Sequence, residues 1–368
     1  MRAPRTRGYR ELLGLFGLLA FASSFTGSFW VVFLTSAHGL HPAAIAALIG
    51  VATLVAALGS FATTRARTLP ATRTMIAGLA CLAAMQLALA FLNGPPLYLL
   101  FAVLYGAYIP LFFLPWNVLV TEETKARDRG VKLAGIQLAF ALATAPAPFL
   151  GGIVANVLGW PALFAIGAGI LFVAAGLAAV RGDARERVAL EWDPRALGRG
   201  AKAAYLAQGG TEGVLWTAIP LVTYSFVQRE VELGALFSLF ALTGGLLAVV
   251  LGRRSDRTRR RRRFIALGVS LSIPLAVSVA VAPNLLAFSV ATGALSAVLA
   301  IAPTFANAAV VDRLEGRVGL VMGTREVLLN LARGTTSIAI LLLFLAGLPV
   351  QLAILLVPVL LPLEALAR

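Results

Sequence analysis

The chain has 368 residues and a net charge of +15, and it is 60% hydrophobic but only 13% charged, with a mean hydropathy of +0.90. A soluble domain is about 45–50% apolar and about 25% charged, so this composition excludes an ordinary soluble fold. The apolar segments are as long as helices and do not alternate with polar residues, which excludes a transmembrane β-barrel and predicts a polytopic helical membrane protein.

Twelve apolar segments are predicted to cross the membrane as helices, and we number them as spans 1 to 12. Their approximate limits are 11–36, 42–63, 72–92, 96–119, 132–156, 161–181, 202–227, 233–252, 264–282, 284–310, 317–345 and 347–366. Several links between them contain Gly, Pro or Asn, which favour turns. The first apolar run is longer than the roughly 7–15 residues of a secretory signal core, so we expect it to be retained as span 1.

The positive residues predict which side of the membrane each link faces. Of the 31 lysines and arginines, 28 fall in the termini and the even-numbered links, one (Arg229) falls in an odd-numbered link, and two lie within span 11. Positive residues favour the cytoplasmic side, so both termini are predicted to be cytoplasmic. We expect a multi-pass protein of a bacterial-type plasma (inner) membrane. Because the basic residues lie in these short links, we expect no nucleic-acid partner.

The chain is predicted to contain two similar halves. A polar stretch at 182–201 would be a cytoplasmic linker between an N-terminal bundle (1–181) and a C-terminal bundle (202–368), each with six helices. The sequence Gly59-Ser60-Phe61-Ala62-Thr63-Thr64-Arg65 after span 2 echoes the sequence from Gly252 to Thr258 after span 8. A second echo, at nearly the same offset, pairs the start of span 5 with the start of span 11, and tandem repeats of this kind are common in secondary transporters.

An arginine-rich hairpin between spans 8 and 9 connects the chain to a known family. It fits the pattern Gly-x-x-x-Asp-Arg-x-Gly-Arg-Arg at Gly252, Asp256, Arg257, Arg260 and Arg261. With twelve spans in two groups of six and this hairpin, the chain resembles the major facilitator superfamily of transporters. The resemblance implies that Asp256, with Arg257, belongs to a charge-and-dipole latch between the two halves. In the first copy of the pattern, Thr63 stands where the family has Asp.

A second motif in span 5 resembles the one that this family associates with antiport and export. Pro148, Gly151 and Gly152 match it, while alanines at 134, 143 and 147 replace its first three glycines. The small residues predict a close approach of spans 5 and 8, and the proline predicts a bend. The resemblance therefore implies a drug/proton antiporter-like exporter. Many such exporters carry an arginine in span 4, but this span has no charged residue.

Glu212 in span 7 is the first candidate for transport chemistry, because a charge near the bilayer centre costs about 2.5–3.5 kcal/mol on insertion scales. Tyr205, Gln208, Glu212 and Trp216 recur at helical spacing and share one face. In the resembled family, spans 1, 4, 7 and 10 line the cavity. Glu212 would then be a protonatable carboxylate that couples proton and solute. The alternative is a hydrogen-bonded cap or an ion-pair partner.

Span 11 carries a second cluster, formed by Arg325, Glu326, Asn330 and Arg333. Glu326, Asn330 and Arg333 are spaced i, i+4, i+7, so they share one face, and Glu326 is predicted to pair with Arg333 through Asn330 or with another helix. The cluster is either a structural gate network or a site for a substrate anion.

Aromatic residues of span 4 are the third candidate. Tyr98, Phe101, Tyr105, Tyr108 and Phe112 form one stripe at helical spacing, which suits a bulky apolar or cationic ligand but also suits helix packing. For substrate contacts we predict residues on spans 1, 4, 7 and 10, namely Trp30, Tyr105, Tyr108, Gln208, Trp216 and Asn307.

The sequence predicts a transporter and no enzyme, cofactor or metal. It has no phosphate-binding Gly-x-x-x-x-Gly-Lys-Ser/Thr loop and no His/Cys/carboxylate cluster with metal spacing. The leading hypothesis is proton-coupled efflux of a small hydrophobic or amphipathic molecule by alternating access, carried out by a monomer in contact with membrane lipid. One alternative is an uptake symporter or facilitator for a polar or anionic solute, with Arg325 and Arg333 as anion ligands. Another is a transporter-like sensor that moves nothing.

Overall fold

A computed structural model describes residues 9–123, 140, 142–181, 186–258, 261–314 and 316–366, with the backbone alone described at 9, 10, 181, 245–258 and 261. Most of the first half of span 5, with Ala134, lies outside the described residues. Helices occupy described residues in all twelve predicted spans, which confirms the predicted fold of two six-helix bundles. In chain order they are Tyr9–Gly27 and Phe29–Ser36 (span 1), Pro42–Arg65 (2), Ala71–Phe91 (3), Gly94–Glu122 (4), Ala147–Leu158 (5), Trp160–Arg181 (6), Gly198–Phe226 (7), Glu230–Thr258 (8), Arg261–Ala280 (9), Leu285–Leu299 and Ile301–Arg313 (10), Val318–Leu345 (11), and Val350–Leu355, Leu356–Leu360 and Leu361–Leu366 (12).

Among the described residues, eight helices are long and apolar enough to cross a membrane, namely those of spans 1, 2, 3, 4, 6, 9, 10 and 11. Spans 5 and 12 are shorter apolar helices in the described part of the chain. Span 12 alternates between 3₁₀- and α-helix because Pro358 and Pro362 each remove a backbone donor and clash with the preceding turn. Pro303 has the same effect in span 10, where the helix breaks at Ala300.

The two bundles meet along two pairs of spans. Spans 2 and 11 pack against each other over most of their length, and a Cβ atom on Gly334 would lie only 2.7 Å from the Leu54 side chain. Spans 5 and 8 form the other contact, where the amide of Phe149 donates to Ser238 Oγ at 2.9 Å. Both contacts use glycine, because a missing side chain lets two helix backbones approach closely.

One end of the molecule carries a short β-sheet that the all-α prediction did not include. Thr68–Pro70, in the link between spans 2 and 3, pairs antiparallel with Arg187–Ala189, in the polar stretch between spans 6 and 7. The predicted linker is therefore partly ordered against the N-terminal bundle. We call this end the linker face; spans 2 and 6 end there, and spans 3, 7 and 11 begin there.

The link between spans 1 and 2 lies at the opposite end and holds both histidines. His41 caps span 2, since its Nδ1 accepts from the Ala43 amide at 3.2 Å. The ring of His38 packs on Phe33 and Tyr98, and burial lowers the pKa of this imidazole. In the part of the chain that the structure describes, no group of three or more His, Cys, Asp or Glu residues could hold a metal ion.

Candidate functional site

A cavity of about 610 Å³ lies between the two bundles, within the range of about 300–1,000 Å³ that is typical of small-molecule sites. Residues from spans 1, 3, 4, 5, 6, 7, 8, 10 and 11 line it, so both halves of the chain contribute to its wall. Most of the wall is apolar, and the charged side chains among the described lining residues are Arg325, Glu326 and Arg333, all from span 11. The cavity therefore combines a large apolar surface with one localised charged region.

Aromatic rings form the wall that joins the two bundles. Trp30 of span 1 packs on Phe101 with ring centroids 4.7 Å apart, and Phe101 stacks on Tyr105 at 5.6 Å. Across the bundle interface, Tyr105 meets Trp216 of span 7 edge to face, with centroids 6.4 Å apart. Such contacts are favourable beyond simple area burial, and they leave flat apolar faces toward the cavity.

The aromatic stripe predicted for span 4 serves two purposes. Tyr105 and Tyr108 line the cavity, whereas Phe101 and Phe112 are fully buried behind its wall. Tyr98 lies nearer the end of the span and contacts His38. The sequence left ligand contact and helix packing as alternatives for this stripe. Phe101 and Phe112 pack within the protein, while ligand contact at Tyr105 and Tyr108 stays a prediction.

Arg333 is the centre of the charged region. Its guanidinium donates to Glu212 Oε2 through Nε at 2.8 Å and again through Nη2, and its Nη1 donates to Asn330 Oδ1 at 2.6 Å. Asn330 Nδ2 in turn donates to Glu326 Oε1 at 3.3 Å. The structure thus shows the predicted connection of Glu326 to Arg333 through Asn330, and it adds Glu212 from span 7 as a second carboxylate.

Neighbouring side chains fix the orientation of this network. Gln208, one turn before Glu212, donates from Nε2 to Glu212 Oε1 at 2.8 Å. The guanidinium carbon of Arg333 lies 4.6 Å from the centroid of the Trp216 ring, which is a cation–π distance. The Arg333 side chain is only 9% exposed and that of Glu326 only 4%, so each charge depends on its partner. The network is consequently held by several partners on the protein side, and it lines the cavity at Arg333, Glu326 and Trp216.

Arg325 has a different environment from Arg333. Its Nη1 lies 3.7 Å from Glu326 Oε2, beyond hydrogen-bond distance, and its guanidinium lies 5.7 Å from the Tyr205 ring centroid. Tyr205 is fixed by donating its hydroxyl to Asn307 Oδ1 at 3.1 Å. Arg325 Nε is buried without a hydrogen-bond partner in the described residues. Arg325 thus lines the cavity and pairs with Glu326 more loosely than Arg333 pairs with Glu212.

The predicted substrate residues fall into two groups. Trp30, Tyr105, Tyr108 and Trp216 line the cavity, and their role in binding a solute stays a prediction. Gln208 and Asn307 are not among the lining residues; they hold Glu212 and Tyr205 instead, so any effect on a solute would pass through those partners.

The sequence-based predictions missed three buried polar residues. Ser60 of span 2 accepts from Asn330 Nδ2 at 3.4 Å and so links the network to the N-terminal bundle. Gln86 of span 3 lines the cavity and donates to Thr26 Oγ1 at 2.8 Å. Glu364 is a buried carboxylate on span 12. A polar side chain within an apolar span was an available signal for Gln86 and Glu364, while Ser60 lies at the end of span 2, in the segment that the second half of the chain repeats.

The span 5 motif forms close contacts on both of its sides. A Cβ atom on Gly151 would lie 2.2 Å from the carbonyl oxygen of Phe25 in span 1, and one on Gly152 would lie 2.4 Å from that of Glu230 in span 8. Pro148 packs against Gly234 of span 8, where an added Cβ atom would lie 2.4 Å from the Pro148 carbonyl oxygen. The predicted close approach of spans 5 and 8 is confirmed for these residues.

The predicted latch lies largely outside the described residues. Asp256 and Arg257 belong to the helix of span 8, but their side chains are not described. In the first copy of the pattern, Thr63 stands where the family has Asp. Its hydroxyl donates to the carbonyls of Gly59 and Ser60 in its own helix. The role of Asp256 therefore stays a prediction, and Thr63 offers no charge for a matching latch.

A family model decides the relationship that the sequence suggested. The model of the Major Facilitator Superfamily matches residues 12–196 and 203–366. The chain belongs to the Major Facilitator Superfamily. Membership makes it a secondary transporter of small molecules and accounts for the two bundles around one cavity. Among curated proteins, no sequence matches this superfamily member.

Solved structures of other transporters share this superfamily fold. The human organic anion transporter MFSD10 (TETRAN) is similar over 98% of this chain and 100% of its own, with a TM-score of 0.66 and 17% identity. The fucose:proton symporter FucP of E. coli is similar over 98% of this chain and 97% of its own, with a TM-score of 0.67 and 15% identity. The same symporter in its outward conformation gives a TM-score of 0.66. At these identities the likeness shows the fold and leaves the solute open.

Proposed function

We propose that this transporter exports a hydrophobic or amphipathic solute by alternating access and drives the export with protons. The aromatic wall at Trp30, Tyr105 and Trp216 supports an apolar solute, because flat rings bind bulky apolar groups. The close contact of spans 5 and 8 at Pro148 and Gly152 supports export, since the superfamily associates this motif with antiport.

The observation that carries the proton coupling is the bond between Glu212 and Arg333. Arg333 lines the cavity and packs on Trp216, and its position is held by two hydrogen bonds to Glu212. A proton on Glu212 would remove the negative charge that joins the guanidinium to span 7, while Asn330 and Glu326 still hold Arg333 on span 11. The contact between spans 7 and 11 would loosen, and the cavity wall would change shape. Proton binding and solute binding would then be linked through one side chain, as coupled transport requires.

Replacing Glu212 with glutamine is expected to abolish flux driven by a pH gradient while solute exchange continues. Glutamine keeps a similar shape but carries no titrating proton, so the driving ion loses its site. The measurement is solute flux in proteoliposomes, using a compound first identified by thermal-shift screening of hydrophobic molecules. Glu232→Gln is the control, because Glu232 is exposed and contacts only Arg229 among the described ion pairs. Full gradient-driven flux in Glu212→Gln would rule out this coupling site.

A second candidate function, transport of an organic anion, is supported by Arg325. Arg325 lines the cavity beside the aromatic wall, and its Nη1 lies 3.7 Å from Glu326 Oε2, a looser pairing than that of Arg333 with Glu212. A planar guanidinium that is only loosely paired suits a carboxylate or sulfonate, which it can bind through two parallel bonds. The solute would then carry an acidic group at Arg325 and an aromatic body against Tyr105 and Trp216. The similar human protein is described as an organic anion transporter.

Arg325→Gln separates the two candidates. If the solute is an anion, the variant is expected to bind an aromatic carboxylic acid about 10- to 100-fold more weakly, because a hydrogen bond to a charged group contributes about 1.5–3 kcal/mol. Binding of the neutral amide of the same compound should not change. Isothermal titration of both compounds against the wild type, Arg325→Gln and the exposed control Arg229→Gln provides the measurement. Equal loss for acid and amide would contradict an anion site and leave the hydrophobic exporter as the better proposal.

A further inference from the structure

The polar segment between spans 6 and 7 binds closely to the link between spans 2 and 3. We call residues 186–197 the linker strap. Its strand at Arg187–Ala189 pairs with Thr68–Pro70. Two further backbone bonds extend this pairing, from the Ala71 amide to the Glu186 carbonyl at 2.9 Å and from the Leu190 amide to the Arg67 carbonyl at 2.8 Å. Val188 and Leu190 are buried beneath the sheet, so this part of the strap is anchored on the N-terminal bundle.

The same strap also contacts the start of span 11, which belongs to the C-terminal bundle. The Glu191 amide donates to the Gly319 carbonyl at 3.4 Å, and the Asp193 amide donates to Thr324 Oγ1 at 3.1 Å. Arg317 and Glu191 form an exposed ion pair at 3.3 Å. The strap therefore joins both bundles at the linker face, in addition to the direct contact between spans 2 and 11.

Two glycines of span 11 create the groove in which the strap lies. A Cβ atom on Gly319 would lie 2.0 Å from the Ala189 carbonyl oxygen, and one on Gly323 would lie 2.7 Å from the Glu191 carbonyl oxygen. Gly319 and Gly323 are four residues apart, so both face the strap. The neighbouring contact is also tight, because the Gly323 Cβ position lies 2.9 Å from Thr64 Cγ2 of span 2.

We propose that the linker strap is a latch that holds the linker face closed, and that this face opens when the strap leaves the groove on span 11. Alternating access requires spans 2 and 11 to separate at each end in turn. A strap that bonds to both bundles has to release one of them during this separation. It is held to the N-terminal bundle by a sheet with a buried face, but to span 11 by two amide donors and an exposed ion pair. The contact with span 11 is therefore the one that breaks.

The position of the strap fits the departure of the first repeat from the family pattern. The acid expected at Thr63 is absent, and the Thr63 hydroxyl is used within its own helix. Nearby, Trp192 of the strap packs edge to face on Phe61, with ring centroids 5.8 Å apart. The strap thus supplies contacts between the bundles at the place where a charged latch is missing, whatever solute the protein carries.

Gly319→Ala tests the latch, because its methyl group would collide with the strap backbone at Ala189. Spin labels at Arg73→Cys and Arg199→Cys, with Cys81 replaced by alanine, report the distance between the bundles at the linker face; both arginines are exposed. We expect Gly319→Ala to raise the ratio of long to short distances by about tenfold, which corresponds to about 1.4 kcal/mol. The measurement is pulsed electron paramagnetic resonance on the full-length chain in nanodiscs.

Gly176→Ala is the matched control, since no heavy atom lies within 4 Å of its Cβ position. Thr324→Val is the second variant; it removes the hydroxyl that accepts from Asp193 with little change of volume, and we expect a smaller shift in the same direction. A distance distribution in Gly319→Ala equal to that of Gly176→Ala would overturn the proposal. Should Gly319→Ala not fold, an unchanged distribution in Thr324→Val would overturn it in the same way.

Discussion

Replacing Arg333 with methionine is expected to destabilise the folded protein by about 3–5 kcal/mol, the cost of removing one partner from a buried ion pair. Arg333 supplies the positive charge to both Glu212 and Glu326, at 2.8 Å from Glu212 through Nε and 3.7 Å from Glu326 through Nη1. Without it, Glu326 keeps Arg325 at 3.7 Å, and Glu212 loses its partner in the ion pairs of the described residues. The measurement is thermal unfolding of the purified protein in detergent, compared with the wild type.

Two further variants distinguish lost charge from lost packing. Glu212→Gln combined with Arg333→Met removes the carboxylate that loses its partner and should recover part of the lost stability. Arg229→Gln breaks an ion pair whose side chains are 84% and 54% exposed, and such pairs contribute only about 0–1 kcal/mol. Unfolding temperatures that are the same for Arg333→Met and Arg229→Gln would show that the network does not stabilise the folded protein.

Helical period alone predicted the part of this network that lies on one helix. Glu326, Asn330 and Arg333 share a face because of their spacing, and that face is set by local geometry. The bond from Arg333 to Glu212 depends on how spans 7 and 11 pack against each other. A Cβ atom on Gly209 would lie 2.3 Å from the Leu329 carbonyl oxygen, so glycine brings these backbones together. Gly209 is visible in the sequence, but the sequence does not tell which helix packs against it.

The pairing of the linker strap could not be predicted from the sequence, for a different reason. Its strand and the strand that it pairs with are three residues each, too short for an alternating pattern to be recognised. More than 100 residues separate Arg67 from Leu190, so the pairing is non-local. The composition of this segment correctly indicated a polar connection between two bundles. Its ordered contact with span 11 could only come from the folded arrangement, in which spans 2, 3 and 11 meet at one end.

The contact between spans 5 and 8 leads to the second large expected effect, because at Gly152 and Glu230 it lies at the end of the molecule opposite the linker face. Gly152→Val is expected to lower transport by about tenfold or more, because overpacking typically costs about 1–3 kcal/mol. This cost would fall only on the conformation in which spans 5 and 8 are in contact. The added side chain meets the backbone of Glu230, whose carbonyl oxygen lies 2.4 Å from the Cβ position. A backbone atom within a helix cannot rotate away as a flexible side chain would, so the spans have to separate.

Gly169→Val provides the comparison for this test, since its Cβ position in span 6 has no heavy atom within 4 Å. Both variants are measured by solute flux in proteoliposomes and, with Trp30→Cys added and Cys81 replaced by alanine, by the rate of reaction with a polar thiol reagent. Trp30 lies on the half of span 1 away from the linker face, so a faster reaction in Gly152→Val than in Gly169→Val indicates that this end stays open. Equal flux and equal reaction rates in the two variants would mean that the glycine contact is packing without a role in the transport cycle. Slower flux together with faster labelling would instead identify spans 5 and 8 as the closing surface of this end, paired in function with the contact between spans 2 and 11.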